Sequence, residues 1–168
     1  LLLNSNLNLF KKLHATELDA ISVAHNETTQ DQEFECLPMF QDDIFLAVHK
    51  NSKYAALKEI DLSQLKDETF LILAKGFATR NDSDFVFEKA GIEPKVFLQV
   101  SDIFTLISMV SSGVGLALLP GRISTIYENS VKLIRRKHQY QIKQEIGLVF
   151  LKRKERDPNL LALIAECR

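Results

Sequence analysis

The sequence predicts an α/β fold, and three observations carry that prediction. Short apolar runs of strand length alternate with segments whose apolar residues recur at helical spacing, the pattern of folds built on mainly parallel sheets. Gly91, Pro94, Gly113 and Pro120 fall at joints between such runs. Apolar residues make up 46% of 168, enough to bury one core or two small lobes sharing one chain.

Taken in order, Leu1 to Leu3 reads as a strand, and Asn4 to Asn6 as a polar turn with capping potential. Leu7 to His14 follows as an amphipathic helix with Leu9, Phe10 and Leu13 inward. Ala20 to Val23 is a short strand, and the polar stretch from His25 to Glu33 a loop. Phe34 to Phe40 and Asp43 to Val48 are extended, and no Gly or Pro between them forces a reversal, so one strand running through both is expected. Leu57 to Leu65 holds a short helix or turn with Asp61 or Ser63 as its cap.

Phe70 to Ala74 is a compact strand, Lys75 to Thr79 a loop at its carboxyl end, and Asn81 to Ala90 a helix that Gly91 terminates. After the strand Lys95 to Val100, Ser101 and Asp102 are both good caps for a helix that buries Phe104, Leu106, Ile107 and Val110 and ends at Gly113. Gly115 opens a buried strand, Leu116 to Leu119, which Pro120 stops. A helical turn near Ile123 to Tyr127 precedes strands at Val131 to Ile134 and Glu145 to Leu151. Asp157-Pro158 starts a last helix with Leu160, Leu161 and Ile164 on one face.

Composition excludes several function classes. With 21 Lys plus Arg against 22 Asp plus Glu, no overall field draws this segment onto a phosphate backbone, so DNA contact by the segment itself is not expected. Lys132, Arg135, Arg136, Lys137 and His138 form a basic group without aromatic platforms or a recognition helix, and read as a solvated strand end and loop; Lys152 to Lys154 reads the same way. Cys36 and Cys167 belong to no CxxC or Cys/His spacing, so reduced structural thiols are expected, and no metal or cofactor. Leu1 to Leu3 lacks the features of a signal peptide, and no apolar run approaches the roughly 20 residues of a membrane span. A soluble, cytoplasmic protein is the expectation.

Enzyme motifs are missing as well. There is no HExxH, no Gly-x-Ser-x-Gly elbow and no phosphate loop, and Gly113-Val114-Gly115 precedes a strand where a dinucleotide loop needs a helix. Asp82 and Asp84 bring two carboxylates close, but at an expected helix start, where acidic groups complement the dipole. No catalytic residue is assigned.

Three stretches carry a resemblance. They are Thr16-Glu17-Leu18-Asp19-Ala20-Ile21; Leu37-Pro38-Met39-Phe40 through Val48-His49-Lys50-Asn51-Ser52; and, most sharply, the run from Phe104 through Ser112-Gly113-Val114-Gly115-Leu116-Ala117-Leu118-Leu119-Pro120. In this order and spacing they resemble the effector-binding domain of LysR-type transcription regulators along nearly the whole chain. The family's His-Pro-Leu turn is replaced by Asn51-Ser52-Lys53. The family's domain also opens with a central strand and a long helix ahead of the segment matching Leu1 to Leu3, and neither is in this sequence.

The resemblance implies two Rossmann-like lobes joined by two crossing segments, the type II periplasmic-binding-protein-like arrangement, with a small effector between them. The crossings fall near Gln41 to Ile44 and Lys143 to Ile146, giving one lobe of residues 1–44 plus 145–168 and another of residues 45–144. It further implies a homodimer or homotetramer, and DNA binding only through a domain outside this sequence. Ligands of open α/β sheets sit at the carboxyl ends of strands, and helix N-termini there favour anions, so an organic acid is the expected effector. The candidate contacts are Ser5, His25, Thr28, Lys75, Thr79, Ser101 and Thr105 for hydrogen bonds, Phe77 and Phe104 for an apolar wall, and the neighbourhood of Leu119 and Pro120. Each of these residues singly also suits a plain cap or a solvent-facing role. A transport solute-binding protein of the same architecture is the alternative function, which an export signal ahead of Leu1 would indicate.

Overall fold

The computed structural model describes residues 4–25 and 32–167. The chain there runs α1 (Asn6–His14), β1 (Ala20–His25), β2 (Phe34–His49), β3 (Glu59–Ile60), β4 (Thr69–Leu73), α2 (Ala78–Ala90), β5 (Lys95–Val100), α3 (Ile103–Ser111), β6 (Ala117–Pro120), α4 (Ser124–Tyr127), β7 (Val131–Arg136), β8 (Lys143–Leu151) and α5 (Pro158–Glu166). It divides into two compact units, Leu1–Asp42 with Gln144–Arg168, and Asp43–Lys143. The expected strand at Leu1 to Leu3 lies outside the described residues.

In the first unit β8 pairs antiparallel with β1, Ile21 opposite Val149 and Val23 opposite Gly147, and β8 has β2 as its other neighbour. Alternation along these strands sends Ile21, Val23, Val149 and Leu151 to one face, where Leu9 and Leu13 of α1 cover them. Phe10 adds an edge-to-face contact with Phe34, ring centroids 5.4 Å apart. In α5, Asp157 caps the helix and Leu160 is buried. The apolar face read for α5 is narrower than expected, because Leu161 is 50% exposed.

The second unit is built on β4. Its partner β5 runs parallel to it, Leu73 opposite Val100, and on the other side the Leu71 amide donates to the Leu116 carbonyl and the Leu116 amide to the Thr69 carbonyl, which starts the β6 run. Beyond β6 the order continues antiparallel through β2 to β7, with β3 parallel to β7. One core, including Phe70, Ile72, Val86 and Phe87, packs α2 against the sheet, and a second, including Leu71, Leu73, Leu106, Ile107 and Val110, packs α3.

The turn between α3 and β6 depends on two glycines. Gly113 has φ +75°, a left-handed value that L side chains avoid, and a Cβ on Gly115 would stand 3.0 Å from the Thr69 carbonyl oxygen. Without that close approach Leu116 could not reach β4.

Residues 34–49 form one uninterrupted strand, as the absence of a turn residue suggested. Other expectations need correction. Helix α2 begins at Ala78 and not at Asn81, so Thr79 is inside the helix and 7% exposed. Asp82 therefore sits in the second turn and cannot serve the helix dipole from the start; it is buried, while Asp84 pairs with Arg80 at 2.8 Å. Phe104 is 46% exposed, because α3 turns its Leu106–Ile107–Val110 stripe inward and Phe104 falls off that stripe. Within the basic group Arg136 is not solvated: it is 2% exposed, since alternation along β7 buries Ile134 and the residue two positions on.

Candidate functional site

Strand β4 ends at Leu73, and the Ala74 amide donates to the Val100 carbonyl at 2.8 Å, so β4 and β5 finish side by side. Everything that follows these strand ends starts from one place. Lys75, Phe77 and Thr79 follow β4, and Ser101 follows β5. The structure thus brings these four sequence-predicted residues to the same end of the second unit.

Their environments differ. Lys75 and Ser101 are exposed, Phe77 is half-buried against the α3 core, and Thr79 is buried. Phe77 holds the N-cap position of α2 but supplies no side-chain hydrogen bond, and no acidic residue lies in the first turn. Among the described residues neither a cap side chain nor a first-turn carboxylate offsets the positive end of this 13-residue helix. At α3 the reverse holds: Asp102, not Ser101, is the cap, its carboxylate accepting the Thr105 amide at 2.8 Å. Hydrogen bonds from Thr105 hold the Asp102 carboxyl below the usual carboxylate range.

Thr105 and Phe104 line a different feature, a groove of about 360 Å³ along the outer flank of α3 with Ser108, Met109, Ser112 and Val114. Leu119 and Pro120 are buried in the sheet opposite Phe45 and Ile44. Their side chains pack the core and are not at the surface.

In the first unit Ser5 is the N-cap of α1, its Oγ accepting the Asn8 amide at 3.4 Å, and the Asn6 side chain donates to the Ala24 carbonyl at 3.1 Å. That bond ties the start of α1 to the end of β1, where His25 stands in register with Glu145. Ser5 and His25 therefore share one end of the first unit. Thr28 lies outside the described residues.

Arg80 and Gln99, at the β4–β5 end, escaped the sequence reading. The Arg80 guanidinium donates through Nη1 to the Leu73 carbonyl at 2.9 Å and to Gln99 Oε1 at 3.0 Å, and through Nε to both Asp84 oxygens at 2.8 and 2.9 Å. The spacing of Arg80 and Asp84 signals a helical i,i+4 pair, but nothing in the sequence places it on two strand ends. Among the described residues no group of three or more His, Cys, Asp or Glu side chains could hold a metal ion. No helix among them is long and apolar enough to cross a membrane.

An α/β unit with cations, hydroxyls and an open helix N-terminus at the carboxyl ends of parallel strands is a small-molecule-binding architecture. The chain belongs to the LysR substrate binding domain family, whose model matches residues 1–168. Over its whole length it is 43% identical to the malonate utilization transcriptional regulator of Klebsiella pneumoniae, covering 55% of that protein. The OxyR transcriptional regulator of Escherichia coli K12 is 27% identical over 67% of this chain, which there spans 36% of OxyR. The chain therefore spans about half, or less, of the length of these relatives.

Solved structures share the fold. The effector-binding domain of QuiR in complex with shikimate superposes with a TM-score of 0.83 at 21% identity, over 98% of this chain and 77% of that one. The CcmR regulatory domain of Synechocystis PCC6803 in complex with 2-PG gives 0.84 at 15% identity, over 98% and 78%.

Proposed function

We propose that this chain is the sensory part of a LysR-type transcription regulator and that its effector is a small carboxylate. The observation that carries the reading is the β4–β5 end, where Lys75, Ser101 and the N-terminus of α2, which no carboxylate caps, gather donors and positive charge. An anion of a few atoms satisfies that arrangement. The name of the Klebsiella relative, a malonate utilization regulator, supports the same class. Binding here acts by shifting the population of two domain conformations, which a DNA-binding domain elsewhere in the full protein reads out in the cytoplasm. The chain itself performs no chemistry.

Self-association belongs to this reading. On the sheet edge β5 leaves Val96, Phe97 and Leu98 46%, 63% and 43% exposed, and Phe104 of α3 adds a fourth apolar side chain to the exposed surface of the second unit. Exposed apolar groups on an edge that pairs with no further strand among the described residues suit a second copy of the protein. Replacing Phe97 with Glu should raise the monomer fraction in sedimentation velocity; an unchanged distribution would remove this part.

The ligand reading is tested by thermal shift of the purified protein against malonate, succinate, acetate and glycerol. A rise with carboxylates and none with glycerol is expected, reduced in Ser101→Ala and Lys75→Gln. Each lost hydrogen bond to a charged ligand should cost about 1.5–3 kcal/mol. Equal rises in wild type and both variants would move the site elsewhere.

A further inference from the structure

Arg80 is held as a rigid cation. Besides Asp84, its acceptors are the carbonyl of Leu73, the last residue of β4, and the side-chain amide of Gln99, next to the last residue of β5. These neutral acceptors orient the guanidinium plane without cancelling its charge. The side chain is 13% exposed, and among the described residues its Nη2 amino group has no protein partner. A planar guanidinium with one amino group open is the group best matched to a carboxylate.

The one ion-pair partner seen for Arg80 is Asp84, whose side chain is 52% exposed. Asp84 regains water when this salt bridge opens, so the cost of its release falls on the mostly buried Arg80, which an incoming carboxylate compensates. A ligand carboxylate can therefore take its place on Arg80 at small cost. Lys75, in the connection from β4 to the helix that carries Arg80, supplies a second cation with no ion-pair partner among the described residues. With Asp84 released and Asp102 engaged in capping α3, Arg80 and Lys75 present two cations to a ligand, which suits one with two negative groups.

We propose that Arg80 is the residue that reads the ligand's carboxylate, that Asp84 is the internal carboxylate it releases on binding, and that a short dicarboxylate is the preferred class. The proposal rests on the carboxylate reading given above. It assigns to Arg80 a specificity role beyond stapling α2 to the strand ends.

Isothermal titration of the purified protein with malonate, and with acetate as the single-carboxylate arm, tests it in wild type, Arg80→Gln and Asp84→Asn. Expected are tighter malonate than acetate binding in wild type, a loss of about tenfold or more for malonate in Arg80→Gln, and a several-fold gain in Asp84→Asn, where the internal competitor has lost its charge. A pure staple predicts no gain in Asp84→Asn, so unchanged or weaker malonate binding there overturns the assignment even if Arg80→Gln fails to fold. Wild-type affinity retained in Arg80→Gln overturns it too, leaving the carboxylate reading intact. If wild type binds neither acid, the carboxylate reading falls and this assignment with it.

Discussion

Arg136 Nη2 donates to Asp43 Oδ1 at 2.6 Å across 93 residues of sequence, with the arginine side chain at zero exposure and the aspartate at 26%. The same guanidinium donates through Nε to the Ile44 carbonyl and through Nη1 to the Tyr140 carbonyl. Asp43 and Ile44 open the second unit's share of β2, and Tyr140 precedes its last residue by three positions, so one side chain binds the chain where it enters this unit to the chain shortly before it leaves. Burial pulls the Arg136 pKa down, while Asp43 and the buried Asp82 act the other way and keep the group charged.

Replacing Arg136 with Met leaves two backbone carbonyls and Asp43 without this donor. A loss of about 3–5 kcal/mol is expected, the range for breaking a buried pair by removing one partner. Urea unfolding should show a lower midpoint with an unchanged slope; a midpoint within experimental error of wild type would mean that water replaces the guanidinium freely.

Gly147 on β8 faces Cys36 so closely that a Cβ there would lie 2.5 Å from the sulfur and 3.2 Å from the Leu37 carbonyl oxygen. Gly147→Ala should cost about 1–3 kcal/mol through overpacking. Cys36→Ala added to it should recover most of that loss, a coupling visible in a double-mutant cycle. Simple additivity of the two changes would refute the contact.

Acid should weaken the second unit through Asp61 and Glu68. Asp61 accepts from Ser63, Lys137 and Tyr140, and these bonds hold its pKa far below the ordinary value; Lys53 and Tyr54 lower that of Glu68. For a carboxylate depressed in the folded state, the stabilisation is complete above the unfolded pKa, roughly 4, and is lost as pH falls toward the folded one. Unfolding midpoints measured from pH 7 to pH 3 should therefore drop below about pH 5, with a shallower drop in Asp61→Asn. Identical pH curves for the two proteins would show that Asp61 is not the linked group.

Cys36 should be a sluggish thiol. Burial raises its pKa most, and Glu145 and Glu35 raise it further. Iodoacetamide at pH 8 is expected to label Cys36 slowly in the native protein and faster in Glu145→Gln, read by peptide mass spectrometry. Rapid labelling of native wild type would show that the thiol is not so protected.

Local chemistry is what the sequence alone determined. Asp157 caps the helix that it precedes, and caps at Asp61 or Ser63 and at Ser101 or Asp102 were legible, because a short polar side chain accepts a nearby backbone amide whatever surrounds it; Asp61 and Asp102 take those places in the structure. Gly113 and Gly115 announce the α3–β6 turn because left-handed backbone and close approach are local demands. The family, too, was legible, through motifs whose order and spacing survive in one dimension. Tertiary structure decided which of two locally equivalent outcomes each polar group took. Arg136 is buried and its neighbour Arg135 exposed because β7 sits inside a sheet and alternates its faces. Arg80 became a strand-end cation because the parallel pairing of β4 and β5 aligned the Leu73 carbonyl and Gln99 beside it. Those pairings join residues far apart in sequence, and no local pattern encodes which strand will lie next to which.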